Sequence, residues 1–182
     1  MKPYKEYLFI FLLLCIIIGL KYFNTIADND LLAFILVPTK TIVEFFTGTM
    51  ATYNLTQGHL FESLHITIDK SCSGINFWIM SWAMSAFMSL RFLENTKQLI
   101  LCLLGITGLS YLFTLFANAS RIVGAIYLED FFQEYTLVDA ALIHQVQGAM
   151  TYLFCLVCFY WLVLFLFLKI EKTKDPLSLA KV

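Results

Sequence analysis

The sequence predicts an all-α integral membrane protein in a single domain, residues 1–182, with about four transmembrane helices, one re-entrant or interfacial helix and a small external hairpin. Three observations lead there. Of 182 residues, 60% are hydrophobic and only 14% charged, and the mean hydropathy is +0.78; a soluble domain of this size could not hide so much apolar surface. The apolar residues gather into runs long enough to cross a bilayer, with eighteen Phe and nine Tyr supplying bulk that lipid or a packed bundle accepts. Most Lys and Arg residues lie in every second polar break, as a chain threading back and forth across a membrane requires.

The first run, Tyr7 to Phe23, follows Lys2 and Lys5 and is read as an uncleaved signal anchor, with a long signal peptide ending near Ala27 as the alternative. Leu31 to Met50 is also apolar, but Pro38, Lys40 and Glu44 interrupt it and no second span follows before Cys72. It is therefore read as a re-entrant or interfacial helix on the outer side, a further span being the alternative. Thr52 to Asp69 is polar and partly alternating, the pattern of a hairpin turning near Gln57-Gly58. Gly74 to Leu93 crosses the membrane, since twenty residues at ~1.5 Å each cover ~30 Å of hydrocarbon. Gln98 to Ala117 crosses back and stays helical through Arg121 to Leu128, and His144 to Leu168 crosses again. Residues 169–182 form a cytoplasmic tail.

Lys2 and Lys5, Arg91 and Lys97, and the four lysines from Lys169 to Lys181 mark three inside segments. Nine of the thirteen acids, among them Asp28, Asp69, Glu129 and Asp139, fall on the other side. The predicted orientation is N-in and C-in. The net charge of −1 says nothing about nucleic acid, but with no basic arm and no aromatic RNA-binding motif no nucleic-acid partner is expected.

Three polar residues stand out against this apolar background: Cys72, Arg121 and His144, 49 and 23 residues apart. Cys72 lies at the outer end of the span beginning near Gly74. Ser71 or Ser73 could cap that helix, whose N-terminus favours thiolate character, and Gly74 permits close approach. Twenty-three residues of helix from Gln98 rise ~35 Å, so Arg121 reaches the outer boundary too. His144 opens an inward-running helix at the same face. Asn118, one turn before Arg121, shares its helical face and could orient it or donate to an oxyanion, while Asp139 and Gln145 could fix the His144 tautomer. A polar residue at membrane depth needs a partner, and a shared site satisfies all three, with Leu31 to Met50 as its expected wall. Taken singly, Cys72 could be a buried filler, Arg121 a headgroup anchor and His144 an interfacial residue. His59 and His65 read as surface residues of the hairpin. Cys155 and Cys158, ~16 Å below His144 along the helix, read as packing residues rather than a redox pair.

Ser71-Cys72-Ser73-Gly74 at an outer helix start, Asn118-Ala119-Ser120-Arg121 after a later span, and His144 opening the last span together resemble the exosortase/archaeosortase family of membrane cysteine transpeptidases. The resemblance covers nearly the whole chain. It is shorter than many members, with fewer spans, and looks like a minimal version lacking accessory helices. The resemblance implies a Cys72 nucleophile with Arg121 and His144 as partners, and Asn118, Ser73 and Gly74 in support. It implies substrates that are exported proteins ending in a short motif, one transmembrane helix and a basic tail, and an acceptor of unknown chemistry. It also implies a bacterial cytoplasmic membrane with the site on the extracytoplasmic side. On this reading Cys72 attacks the peptide carbonyl, His144 serves as general base and acid, and Arg121 stabilises the oxyanion. Neither a metal nor an organic cofactor is called for. The competing readings are a non-catalytic assembly or transport subunit with a structural Arg121/His144 network, and a thiol–disulfide oxidoreductase, for which the outer face offers only Cys72.

Overall fold

The computed structural model describes residues 3–93, 95–133 and 140–174; side chains at 3, 5, 6, 129–133, 140–144 and 172–174 lie outside the description. The acidic stretch 134–139, with Asp139, and the tail from 175 onward also lie outside the described residues. Five helices carry the fold: α1 (Pro3–Ile26), α2 (Ala33–Thr47), α3 (Ile75–Phe92), α4 (Thr96–Gln133) and α5 (Ala140–Lys174). Between α2 and α3 stands a small antiparallel sheet of β1 (Thr52–Asn54), β2 (Gly58–Phe61) and β3 (Ile66–Ile68).

Among the described residues three helices are long and apolar enough to cross a membrane, over Tyr7–Ile26, Thr96–Leu128 and Gln145–Glu171. This is an α-helical membrane protein. The fourth expected span, α3, has 18 residues and turns Ser81, Ser85 and Ser89 into the interior. Those hydroxyls bond back to carbonyls of their own helix, so the polar groups are satisfied without leaving the apolar surroundings. Helix α3 packs against α1, α4 and α5. Its indoles are pinned to α4, Trp78 donating to Ser110 Oγ at 3.1 Å and Trp82 to Thr107 Oγ1 at 3.0 Å.

The apolar interior divides along the bundle. One cluster, with Leu13, Trp82, Leu99, Phe159 and Val163, fills the end where α3 gives way to α4. The other joins Leu32, Ile35 and Val43 of α2 to Phe61 and Ile68 of the sheet and to Leu115 and Ile122 of α4. Arg91, Lys97 and Lys169 belong to the first end, where α3 finishes, α4 begins and α5 finishes. The Cys72 turn belongs to the second.

Helix α2 runs unbroken through Pro38, and its Lys40 and Glu44 form an i,i+4 ion pair at 3.0 Å rather than ending the helix. Its 15 residues rise only about 22 Å, short of a bilayer core. Gly48, with φ +68°, stops it.

The expected hairpin is present as β1–β2, turned by residues 55–57, with the Asn54 carboxamide accepting from both N–H and hydroxyl of Thr56. The pattern beyond it adds a third strand, β3, which pairs His59 with Ile68 and Phe61 with Ile66. Gly58 has φ +89°, and a Cβ there would lie 2.6 Å from the Ile68 carbonyl oxygen, so strand pairing requires glycine. His59 is buried, not a surface residue: its ring lies 5.0 Å from that of Tyr53. Burial, and then Lys40 across the interface, push its imidazole below the ordinary histidine range, with Glu44 opposing.

Candidate functional site

Strand β3 delivers the chain to Asp69, whose carboxylate accepts from Ser71 N at 2.9 Å and Ser71 Oγ at 2.6 Å. It thereby caps a single 3₁₀ turn, Lys70–Cys72. The turn is tied to the end of α1, because Lys70 N donates to Asn29 Oδ1 at 2.8 Å and Lys70 Nζ to the Thr25 carbonyl at 2.9 Å. Gly74, at φ +70° and ψ 7°, then swings the backbone into α3. The serine cap predicted for α3 is replaced by this glycine, with Ser73 Oγ making only a long 3.4 Å contact to Ile75 N. The Ser71 hydroxyl is engaged by Asp69, which caps the preceding turn, and does not cap α3.

The half-buried Cys72 thiol lies 3.7 Å from Ser71 Oγ and 4.0 Å from the Thr67 carbonyl oxygen. Its backbone carbonyl is held from α4: Asn118 Nδ2 donates to it at 2.5 Å, while Asn118 Oδ1 accepts from the Tyr152 hydroxyl of α5 at 2.7 Å. Asn118 is fully buried. Its carboxamide thus bridges the Cys72 turn and α5, and it positions the backbone of Cys72. The packing explains Gly74 as well, since a Cβ there would sit 3.1 Å from Asn118 Cγ and 3.3 Å from the Tyr152 hydroxyl.

Arg121 lies one turn further along α4. It lines, with Cys72, a cavity of about 210 Å³ otherwise walled by Ile66, Thr67 and Ile68 of β3 and by Ile122, Ala125 and Ile126 of α4. Its guanidinium carbon stands 5.1 Å from the centre of the Tyr152 ring. Its Nε is buried and has no hydrogen-bond partner among the described residues. Its backbone carbonyl accepts from Gln147 Nε2 at 3.2 Å. Two glycines make this α4–α5 crossing close: a Cβ on Gly124 would lie 3.0 Å from Gln147 Nε2, and one on Gly148 3.4 Å from Arg121 Cδ.

The structure thus brings Cys72, Asn118 and Arg121 together. His144 falls in α5 one turn after its start at Ala140, not at its first residue, and its side chain is outside the described residues. The segment Leu31 to Met50, expected to wall the site, contributes nothing to the Cys72–Arg121 cavity. Helix α2 instead places Phe34 against Trp78 and Tyr111 around a separate apolar cavity of about 330 Å³. The walls beside Cys72 come from β3 and α4. Cys155 is buried beside Phe77 and Ala117, and Cys158 is exposed on α5; both are free thiols.

Tyr152 and Gln147 were not singled out from the sequence. A signal was present: Gln147, Gly148, Thr151 and Tyr152 recur at three- to four-residue spacing within a strongly apolar helix.

A family model of the transmembrane exosortases matches residues 3–161. The chain belongs to the transmembrane exosortase family. No curated protein and no solved structure matches it. The matched segment of this exosortase takes in the Cys72 turn, Asn118, Arg121, His144 and Tyr152, and ends within α5.

Proposed function

We propose that this exosortase is a membrane cysteine peptidase/transpeptidase that cleaves the C-terminal sorting signals of exported proteins at the outer face of a bacterial cytoplasmic membrane. The observation that carries the reading is the shared cavity of Cys72 and Arg121, a thiol and a permanent cation in an otherwise apolar pocket. Membership in the exosortase family supports it. In this reading α3 is the fourth crossing, the lysine- and arginine-bearing ends face inward, and α2 and the sheet lie outside. A substrate whose own membrane helix ends near the Cys72 turn then presents its scissile peptide at that depth.

His144 takes the thiol proton, and the Cys72 thiolate attacks the peptide carbonyl carbon. The resulting oxyanion is stabilised by Arg121, whose charge counts for more in apolar surroundings than in water. Collapse expels the amine, which takes the proton back from His144, and leaves a thioester on Cys72. An acceptor nucleophile or water then releases the acyl group and regenerates the thiol. The Asn118–Cys72 hydrogen bond keeps the backbone of the nucleophile fixed through both steps.

The test is to trap the Cys72-linked acyl intermediate in membranes and identify its peptide by mass spectrometry. A Cys72→Ala variant is expected to accumulate unprocessed precursor. Continued processing by that variant would sink the proposal.

A further inference from the structure

We infer that Tyr152 is a positioning residue of this site, and that one phenol governs the nucleophile and the cation by separable contacts. The inference rests on the cysteine transpeptidase reading above, and it concerns a residue outside the predicted triad. Its hydroxyl donates to Asn118 Oδ1 at 2.7 Å, and the same carboxamide donates to the Cys72 carbonyl at 2.5 Å. That orientation matters: with its oxygen engaged by a phenol O–H, the Asn118 amide must present its NH₂ to Cys72. The ring performs the second task. It lies 5.1 Å beneath the Arg121 guanidinium carbon, and it is itself held by stacking on Phe77, centroids 5.2 Å apart.

Arg121 depends on this ring more than an exposed arginine would. Its Nε is buried without a hydrogen-bond partner among the described residues, and the aromatic face lies against the guanidinium. The approach of Tyr152 to the Cys72 turn is also close, since a Cβ on Gly74 would stand 3.3 Å from its hydroxyl. Helix α5 therefore reaches the nucleophile through oxygen and the cation through the ring, and the two contacts can be removed one at a time.

The experiment uses the full chain in native membranes with two readouts. One is the rate at which a water-soluble, membrane-impermeant maleimide alkylates Cys72, quantified on the Cys72 peptide by mass spectrometry. This needs no substrate, so it separates failure of this inference from failure of the transpeptidase reading. The other is the steady-state processing of a sorting-signal peptide.

Tyr152→Phe removes only the hydroxyl. It is expected to retain the wild-type alkylation rate at neutral pH while lowering kcat severalfold at unchanged KM, through a loosened Asn118. Tyr152→Leu removes both contacts and is expected to slow alkylation about tenfold as Arg121 leaves the cavity. In an Asn118→Ala background, Tyr152→Phe should cost nothing further in kcat. Equal alkylation rates in wild type and Tyr152→Leu would overturn the role of the ring. Additive losses for Tyr152→Phe and Asn118→Ala would overturn the role of the hydroxyl. A peptide that is not processed by wild type, with the alkylation pattern intact, would leave the positioning network standing and refute the transpeptidase reading instead.

Discussion

Replacing Gly74 by alanine tests how tightly the nucleophile turn is built, and Gly48 supplies an internal control. Both glycines adopt the left-handed conformation, with φ +70° and ψ 7° at Gly74 and φ +68° and ψ 11° at Gly48. An alanine in that region costs about 1–2 kcal/mol at either position. Their surroundings differ. A Cβ at Gly48 meets nothing within 4 Å, whereas one at Gly74 lies 3.1 and 3.2 Å from Asn118 Cγ and Cβ and 3.3 Å from the Tyr152 hydroxyl. Asn118 is fully buried and can retreat only by stretching its bond to the Cys72 carbonyl, a contribution of about 1 kcal/mol. Gly74→Ala should therefore destabilise by about 2–3 kcal/mol and Gly48→Ala by about 1–2 kcal/mol. Reversible unfolding in mixed detergent micelles measures the difference, and maleimide alkylation of Cys72 reports whether the turn has moved. The alkylation rate should change only for Gly74→Ala. Equal losses of stability at the two positions, with Cys72 reacting normally in both, would refute the proposed contact between the turn and Asn118.

Other expectations follow from the same geometry. Arg121→Lys keeps the charge but loses the planar fork and weakens the stack on Tyr152; kcat should fall about tenfold or more, and full activity would argue against a directional contact. His59 gives a pH dependence to the sheet. Burial and Lys40 hold its folded-state imidazole below the ordinary value of 6.5, so the unfolded hairpin binds the proton first as pH falls. Stability should then decrease as pH drops through 6.5 and level off below the folded-state value. Proteolytic nicking of the 55–57 turn should accelerate from pH 7 to 5.5. His59→Phe, which keeps a ring against Tyr53, should remove that acceleration.

Three of the expected spans could be read from the sequence because membrane helices declare themselves locally: each must be apolar over a fixed length. The Cys72 turn could be located for a similar reason, since a small polar cluster stands out at the end of an apolar run. The capping assignment failed because serine propensity outweighs glycine in a local reading, and only the approach of Asn118 and Tyr152 requires a left-handed residue at position 74. The assignment of α2 as a wall failed because depth along the membrane normal says nothing of lateral position. Two segments can share a depth and still line different cavities.

The sequence by itself determined that this is an α-helical membrane protein and which residues were chemically out of place in it. Hydrophobic run length and charge asymmetry are one-dimensional properties, and they sufficed for that. Only the tertiary structure decided that Asn118 holds the Cys72 backbone, that β3 walls the pocket, and that Tyr152 touches both Asn118 and Arg121. The contacts among Cys72, Asn118, Arg121 and Tyr152 join residues 31 to 46 positions apart, through helix rotations and glycine-permitted approaches that no local pattern encodes.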